Sequence, residues 1–108
     1  MSIEAAIVFA VKNRVSLEVE YQGNLCQVSP CRFGWRTQEQ TGERCKCVLV
    51  YQFGGYSIPA LKPDISIENL RCWDLKDIAL ALPIQDPWRC PKAGSTTCIE
   101  DAIVEAQP

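Results

Sequence analysis

The stretch Cys45-Lys46-Cys47-Val48-Leu49-Val50-Tyr51-Gln52-Phe53-Gly54-Gly55-Tyr56-Ser57 decides how this chain is read. Val48, Leu49 and Val50 form a continuous apolar run between Cys47 and Tyr51. A strand that is apolar on both faces is covered on both sides, so Arg44 to Phe53 reads as the central strand. The run stops at Gly54-Gly55, where paired glycines let the backbone adopt φ > 0 and approach another surface closely. Tyr51, Gln52, Tyr56 and Ser57 set polar tips around that break. The break is either a glycine turn between two strands or a polar-rimmed corner that binds a ligand. In the second case the site comprises Tyr51, Gln52, Gly54, Gly55 and Ser57, with Arg71 as the nearest cation. Gln52 offers both a donor and an acceptor, which suits a base edge. Free N–H groups at the glycines would receive an anion.

Working outward, Arg36 to Glu43 is polar throughout and reads as a hairpin loop. Val15, Leu17, Val19 and Tyr21 alternate with Ser16, Glu18 and Glu20, the pattern of a half-buried strand. Gln22-Gly23-Asn24 turns the chain, and Leu25 to Val28 pairs back. Pro30 removes a ladder donor and predicts a bulge or a strand end, after which Cys31 to Trp35 resumes the strand. Ile3, Ile7, Ala10 and Val11 share one stripe of a helix over Ile3 to Lys12, with Ser2 as its N-cap. Downstream, Pro59 and Pro63 make Tyr56 to Asp64 an irregular connection. Ile65 to Leu75 should return as a strand, Lys76-Asp77-Ile78 as a tight turn, and Ala79 to Ile84 as a last strand.

One helix and five short strands joined by tight turns predict a mainly β fold with one N-terminal helix. The expected architecture is a small SH3/Sm-like antiparallel barrel, or else a helix over an open sheet. That unit spans residues 1–84. Residues 85–108 form a tail, flexible or folded as a short docked helix. Thr97-Cys98-Ile99-Glu100 has capping-box spacing, and Ile99, Ala102, Ile103 and Ala106 follow helical periodicity.

The 108 residues suffice for one domain with one core. With 11 basic and 13 acidic residues, the net charge of −2 provides no general field for nucleic acid. No apolar run is long enough to span a membrane. Met1-Ser2-Ile3-Glu4 lacks a basic leader, which predicts a cytoplasmic protein whose seven cysteines are reduced. Cys45-x-Cys47 and the Cys26–Cys31 spacing are not zinc knuckles, and the chain has no histidine. The cysteines therefore read as small core hydrophobes, with no metal and no cofactor. Absence of histidine, of a P-loop and of a Gly-x-Gly-x-x-Gly motif also argues against an enzyme, so no catalytic residue is assigned. Arg32, Arg36, Arg44, Lys46 and Arg71, interleaved with Trp35, Tyr51 and Trp73, either gather to bind phosphates and bases or lie scattered as solvated charges. The expected partners are a nucleotide or single-stranded nucleic acid. The alternative is a protein-interaction or homodimerisation module, which an exposed Trp35 or Trp88 would favour.

The order of motifs resembles the WYL domain. Ala5-Ala6-Ile7, Arg14-Val15, Glu20-Tyr21-Gln22-Gly23, Val28-Ser29-Pro30 and Gly34 fit its first half. Val50-Tyr51-Gln52 with Gly54-Gly55-Tyr56-Ser57 looks like a short stand-alone subgroup, and Trp73-Asp74-Leu75-Lys76-Asp77-Ile78 fits the final motif. The match covers roughly residues 3 to 84. The name-giving triplet is absent, with Lys46-Cys47-Val48 near its place, and Asp77 replaces the arginine of the last motif. The resemblance implies an Sm-like barrel that senses a ligand, often nucleotide or nucleic acid, in bacterial regulators. Loss of the arginine removes one expected anion contact.

Overall fold

The computed structural model describes residues 2–57, 60–63, 66–91 and 98–106. Helix α1 (Ile3–Asn13) is followed by strands β1 (Leu17–Tyr21), β2 (Asn24–Thr37), β3 (Arg44–Gly55), β4 (Leu70–Asp74), β5 (Ile78–Pro83) and β6 (Asp101–Glu105). All pairings are antiparallel. The strand order is β4-β3-β2-β1-β5, and β6 lies beside β2. The expectation of a mainly β chain with one helix and an antiparallel sheet holds, with six strands among the described residues in place of five.

Local chemistry places each element. Ser2 Oγ accepts from the Ala5 N–H at 3.0 Å and caps α1, while Arg14 closes the helix in the left-handed region at φ 54°. Ala6, Ile7, Ala10 and Val11 are the buried side of that helix. Strand β2 runs through Pro30 because Pro30 pairs with Val50 beside a register shift at Cys31, where the ladder is already interrupted. The predicted bulge is therefore present. The expected return strand is shorter than its sequence window. Residues 67–69 form a 3-10 turn ahead of β4, and Asp64 and Ile65, like Pro59, lie outside the described residues. A second 3-10 turn, Leu75–Asp77, joins β4 to β5 at the predicted tight turn.

The sheet carries an apolar layer on each face. On one side Val48, Val50, Phe33, Val28, Leu17 and Trp73 pack with Ile7, Ala10 and Val11 of α1. On the other, Cys31, Cys47, Leu49 and Tyr51 pack with Ile99, Trp88, Cys90 and Cys98 of the C-terminal segment. β3 supplies alternate residues to both layers, which is why its sequence is apolar without alternation.

The C-terminal segment departs from expectation. Residues 101–105 form strand β6, not a helix, and Thr97 of the expected cap lies outside the described residues. A helix of about ten residues is marginal by itself. β1 covers only the 24–28 half of β2, leaving a free ladder edge from Arg32 to Trp35, and β6 takes that edge. Glu100 N–H donates to the Trp35 carbonyl at 2.9 Å, and Ala106 N–H to the Cys31 carbonyl at 2.9 Å. Gly34 makes this approach feasible. A Cβ there would overlap the Asp101 carbonyl oxygen and lie 2.8 Å from Ala102 Cα.

The thiol expectation is also corrected. Cys31 is bonded to Cys90 and Cys72 to Cys98, with Cα separations of 6.2 and 6.3 Å. Both lie within the usual disulfide span. Cys26, Cys45 and Cys47 remain free thiols. The partners are 59 and 26 residues apart in sequence, so spacing alone gave no sign of the pairing.

Candidate functional site

A cavity of about 330 Å³ opens where β1, β2, β3 and β4 converge, near the ends of β1 and β3. Tyr21 and Gln22 bring the end of β1 to it, Gln52 comes from β3, and Arg71 and Trp73 come from β4. Ser57 and Tyr56 follow the end of β3, and Cys26 lies beneath. The Tyr21 and Trp73 rings stack with centroids 4.2 Å apart and planes 11° from parallel. Arg71 is held from several directions. Its Nη2 donates to Ser57 Oγ at 2.8 Å, and Nη1 to the Glu68 and Leu70 carbonyls at 2.6 and 3.0 Å.

Gln52 is 1% exposed. Its Nε2 donates to the Gly54 carbonyl at 3.1 Å and the Tyr56 carbonyl at 2.8 Å. Those bonds tie down the corner after β3, so the amide donors serve the backbone ahead of any base edge. The glycines likewise meet protein. Gly55 sits at φ 86°, and a Cβ there would overlap the Leu25 carbonyl oxygen. Both glycines continue the ladder, Gly54 opposite Gln27 and Gly55 opposite Cys26. Their close approach is to β2, and β3 extends through them instead of stopping at Phe53.

Of the six residues expected at the site, Gln52, Ser57 and Arg71 line this cavity. Tyr51 faces the other way. It lines a separate cavity of about 360 Å³ with Phe53, Lys62, Asn69 and Arg89. Sequence reasoning missed Tyr21 and Trp73 as a pair because they lie 52 positions apart, on strands that are not hydrogen-bonded neighbours. The signal that was present is their position, each at an apolar strand end beside a turn.

Burial first, and then the nearby Asp77 and Asp74 carboxylates, raise the Tyr21 phenol above its ordinary pKa, against a lowering by Arg36. Burial raises the Cys26 thiol as well, partly offset by a backbone hydrogen-bond contribution from Tyr56. The cavity thus presents a guanidinium, a hydroxyl, a neutral phenol and an aromatic stack.

No protein-family model, curated protein or solved structure matches this chain.

The other expected cations do not gather with Arg71. Arg32 pairs with Glu105 at 3.1 Å, Arg36 with Asp74 at 3.2 Å, Lys46 with Glu4 at 2.9 Å, and Arg44 with Asp101. Arg44 and Lys46 also flank the Trp35 ring, at 5.8 and 5.2 Å from its centroid. Each of these four charges is met by a carboxylate, which lowers the local potential toward a polyanion. Trp88 is half-buried, and its Nε1 donates to the Pro30 carbonyl at 2.9 Å. Among the described residues no three cysteine, aspartate or glutamate side chains are grouped to hold a metal. No helix among those residues is long and apolar enough to cross a membrane.

Proposed function

We propose that this chain is a non-enzymatic, ligand-sensing regulatory module. Its cavity takes a small planar ligand bearing an anionic group, a nucleotide or the end of a single-stranded nucleic acid. The observation that carries this is the meeting of Arg71, braced at 2.8 Å by Ser57, with the stacked Tyr21–Trp73 pair in one cavity of about 330 Å³. Guanidinium groups bind phosphate oxygens in a fixed fork, and aromatic faces accept bases. The absence of histidine and the raised phenol and thiol pKa values favour binding over acid–base chemistry.

The strand order β4-β3-β2-β1-β5 is an open path with no β4–β5 pairing among the described residues, and the WYL-like, small-barrel reading draws its support from the 3-10 turn that brings β4 directly into β5. Calorimetric titration with nucleoside mono- and diphosphates and short oligonucleotides at low salt tests the proposal. Arg71→Ala should weaken binding at least tenfold, and Ser57→Ala less. Equal binding by wild type and Arg71→Ala removes the site, and no binding by wild type removes the function. A protein-interaction role is the second reading, favoured by Phe9, which is 47% exposed on the outer side of α1 beside Val8. Association that is insensitive to salt but lost in Phe9→Ser would support it.

A further inference from the structure

β4 joins the candidate cavity to the C-terminal segment. Its residues alternate between the faces of the sheet. Arg71 and Trp73 line the cavity, whereas Cys72 between them belongs to the opposite apolar layer and is bonded to Cys98. β4 ends the strand order, and β3 is its paired neighbour through five register positions, Cys47↔Asp74 to Tyr51↔Leu70. The Cys72–Cys98 bond is therefore a covalent brace on a terminal strand.

Cys90 and Cys98 are both half-buried, but the surroundings of the two disulfides differ. Cys98 borders an open cavity of about 970 Å³ between the β2–β3 hairpin and Lys76. Cys31 of the other disulfide is only 7% exposed. Cys47 lies next to the brace, its Sγ 4.0 Å from the Cys98 carbonyl oxygen. Burial pushes that thiol up to about 11. Near neutral pH it stays protonated, and a protonated thiol does not attack a disulfide. The brace thus waits for an external reductant.

We infer that the Cys72–Cys98 disulfide is a redox control on the cavity, its reduction releasing β4 and with it the placement of Arg71 and Trp73. The ligand arm of this inference rests on the binding function proposed above; the structural arm does not. In the reaction a dithiol reductant supplies a thiolate that attacks Cys98 Sγ. The S–S bond breaks and Cys72 leaves as a thiolate that takes up a proton. The second thiol of the reductant then attacks the mixed disulfide and frees Cys98. Two electrons pass to the cysteine pair, and the reductant departs as its own disulfide.

The test begins with protein purified without reductant. Denatured, it should titrate three thiols, those of Cys26, Cys45 and Cys47; seven would overturn the inference. Graded dithiothreitol followed by alkylation and peptide mass spectrometry should label Cys72 and Cys98 before Cys31 and Cys90. The reverse order overturns it. Amide hydrogen exchange in residues 70–74 should then accelerate several-fold in the selectively reduced protein and in Cys72→Ser/Cys98→Ser, with β1 unchanged. Exchange in β4 that ignores the bond refutes the coupling whatever the ligand does. Adenosine monophosphate affinity should fall in parallel. If that probe binds neither form, the exchange result alone decides the redox coupling, and the proposed function is decided by the full nucleotide and oligonucleotide titration.

Discussion

Replacing Gly34 by Ala adds a single methyl group, and the structure specifies where it goes. The new Cβ would overlap the Asp101 carbonyl oxygen and sit 2.8 Å from both Ala102 Cα and Ile99 Cγ2. Carbon atoms in contact rest at about 3.5–4.0 Å, so β6 must retreat by about 1 Å. Gly34 is not among the positive-φ glycines, so the substitution introduces no backbone strain there. Overpacking of this kind costs roughly 1–3 kcal/mol. Each lost ladder hydrogen bond between β2 and β6 adds about 0.5–1.5 kcal/mol. A stiffer unfolded chain returns about 0.4–1 kcal/mol. The net destabilisation is about 1–3 kcal/mol, a fall in Tm of roughly 5–20 °C at the scale of small domains. Gly54→Ala is the control. The three atoms nearest its Cβ all belong to the Gln27 side chain, and the closest, Oε1 at 2.5 Å, is the end of a flexible group that can swing away. Its Tm should move by no more than a few degrees. Thermal melts of both variants and hydrogen exchange across residues 101–105 decide the matter. Equal Tm shifts, or unchanged exchange in β6 of Gly34→Ala, would refute the assignment of Gly34 as the seat of β6.

Two further outcomes are expected. Leu49→Ala should cost about 2–5 kcal/mol by denaturant unfolding, as large-to-small changes in a packed core do, because Leu49 is 5% exposed between β4 and the C-terminal segment. Cys47, raised from 9.0 to about 11, stays neutral in the fold while the unfolded chain ionises. The unfolded state then binds fewer protons, so stability is intact below pH 9 and falls between pH 9 and 11. The slope is about 1.4 kcal/mol per pH unit, and Cys47→Ala should flatten it in melts taken across that range.

The sequence by itself determined the elements whose signals are local. Ser2 caps α1, the Val15–Tyr21 alternation gives β1, Pro30 marks the bulge in β2, and Val48-Leu49-Val50 identifies the strand covered on both faces. Each is legible because it depends on residues within one turn or one strand. Of the candidate site, Gln52, Ser57 and Arg71 were named from local polarity around the glycine break and line one cavity. Tertiary structure decided what depends on distant partners. It turned Gly54 and Gly55 toward β2, set Tyr51 on the opposite face from Gln52, and met four of the basic residues with carboxylates far along the chain. It also drew the last segment into β6, because a helix of that length lacks stability by itself while β2 offered unpaired backbone groups. The cysteines follow the same logic. A thiol's partner is set by which strands lie across from each other, and only the folded sheet brings Cys31 to Cys90 and Cys72 to Cys98.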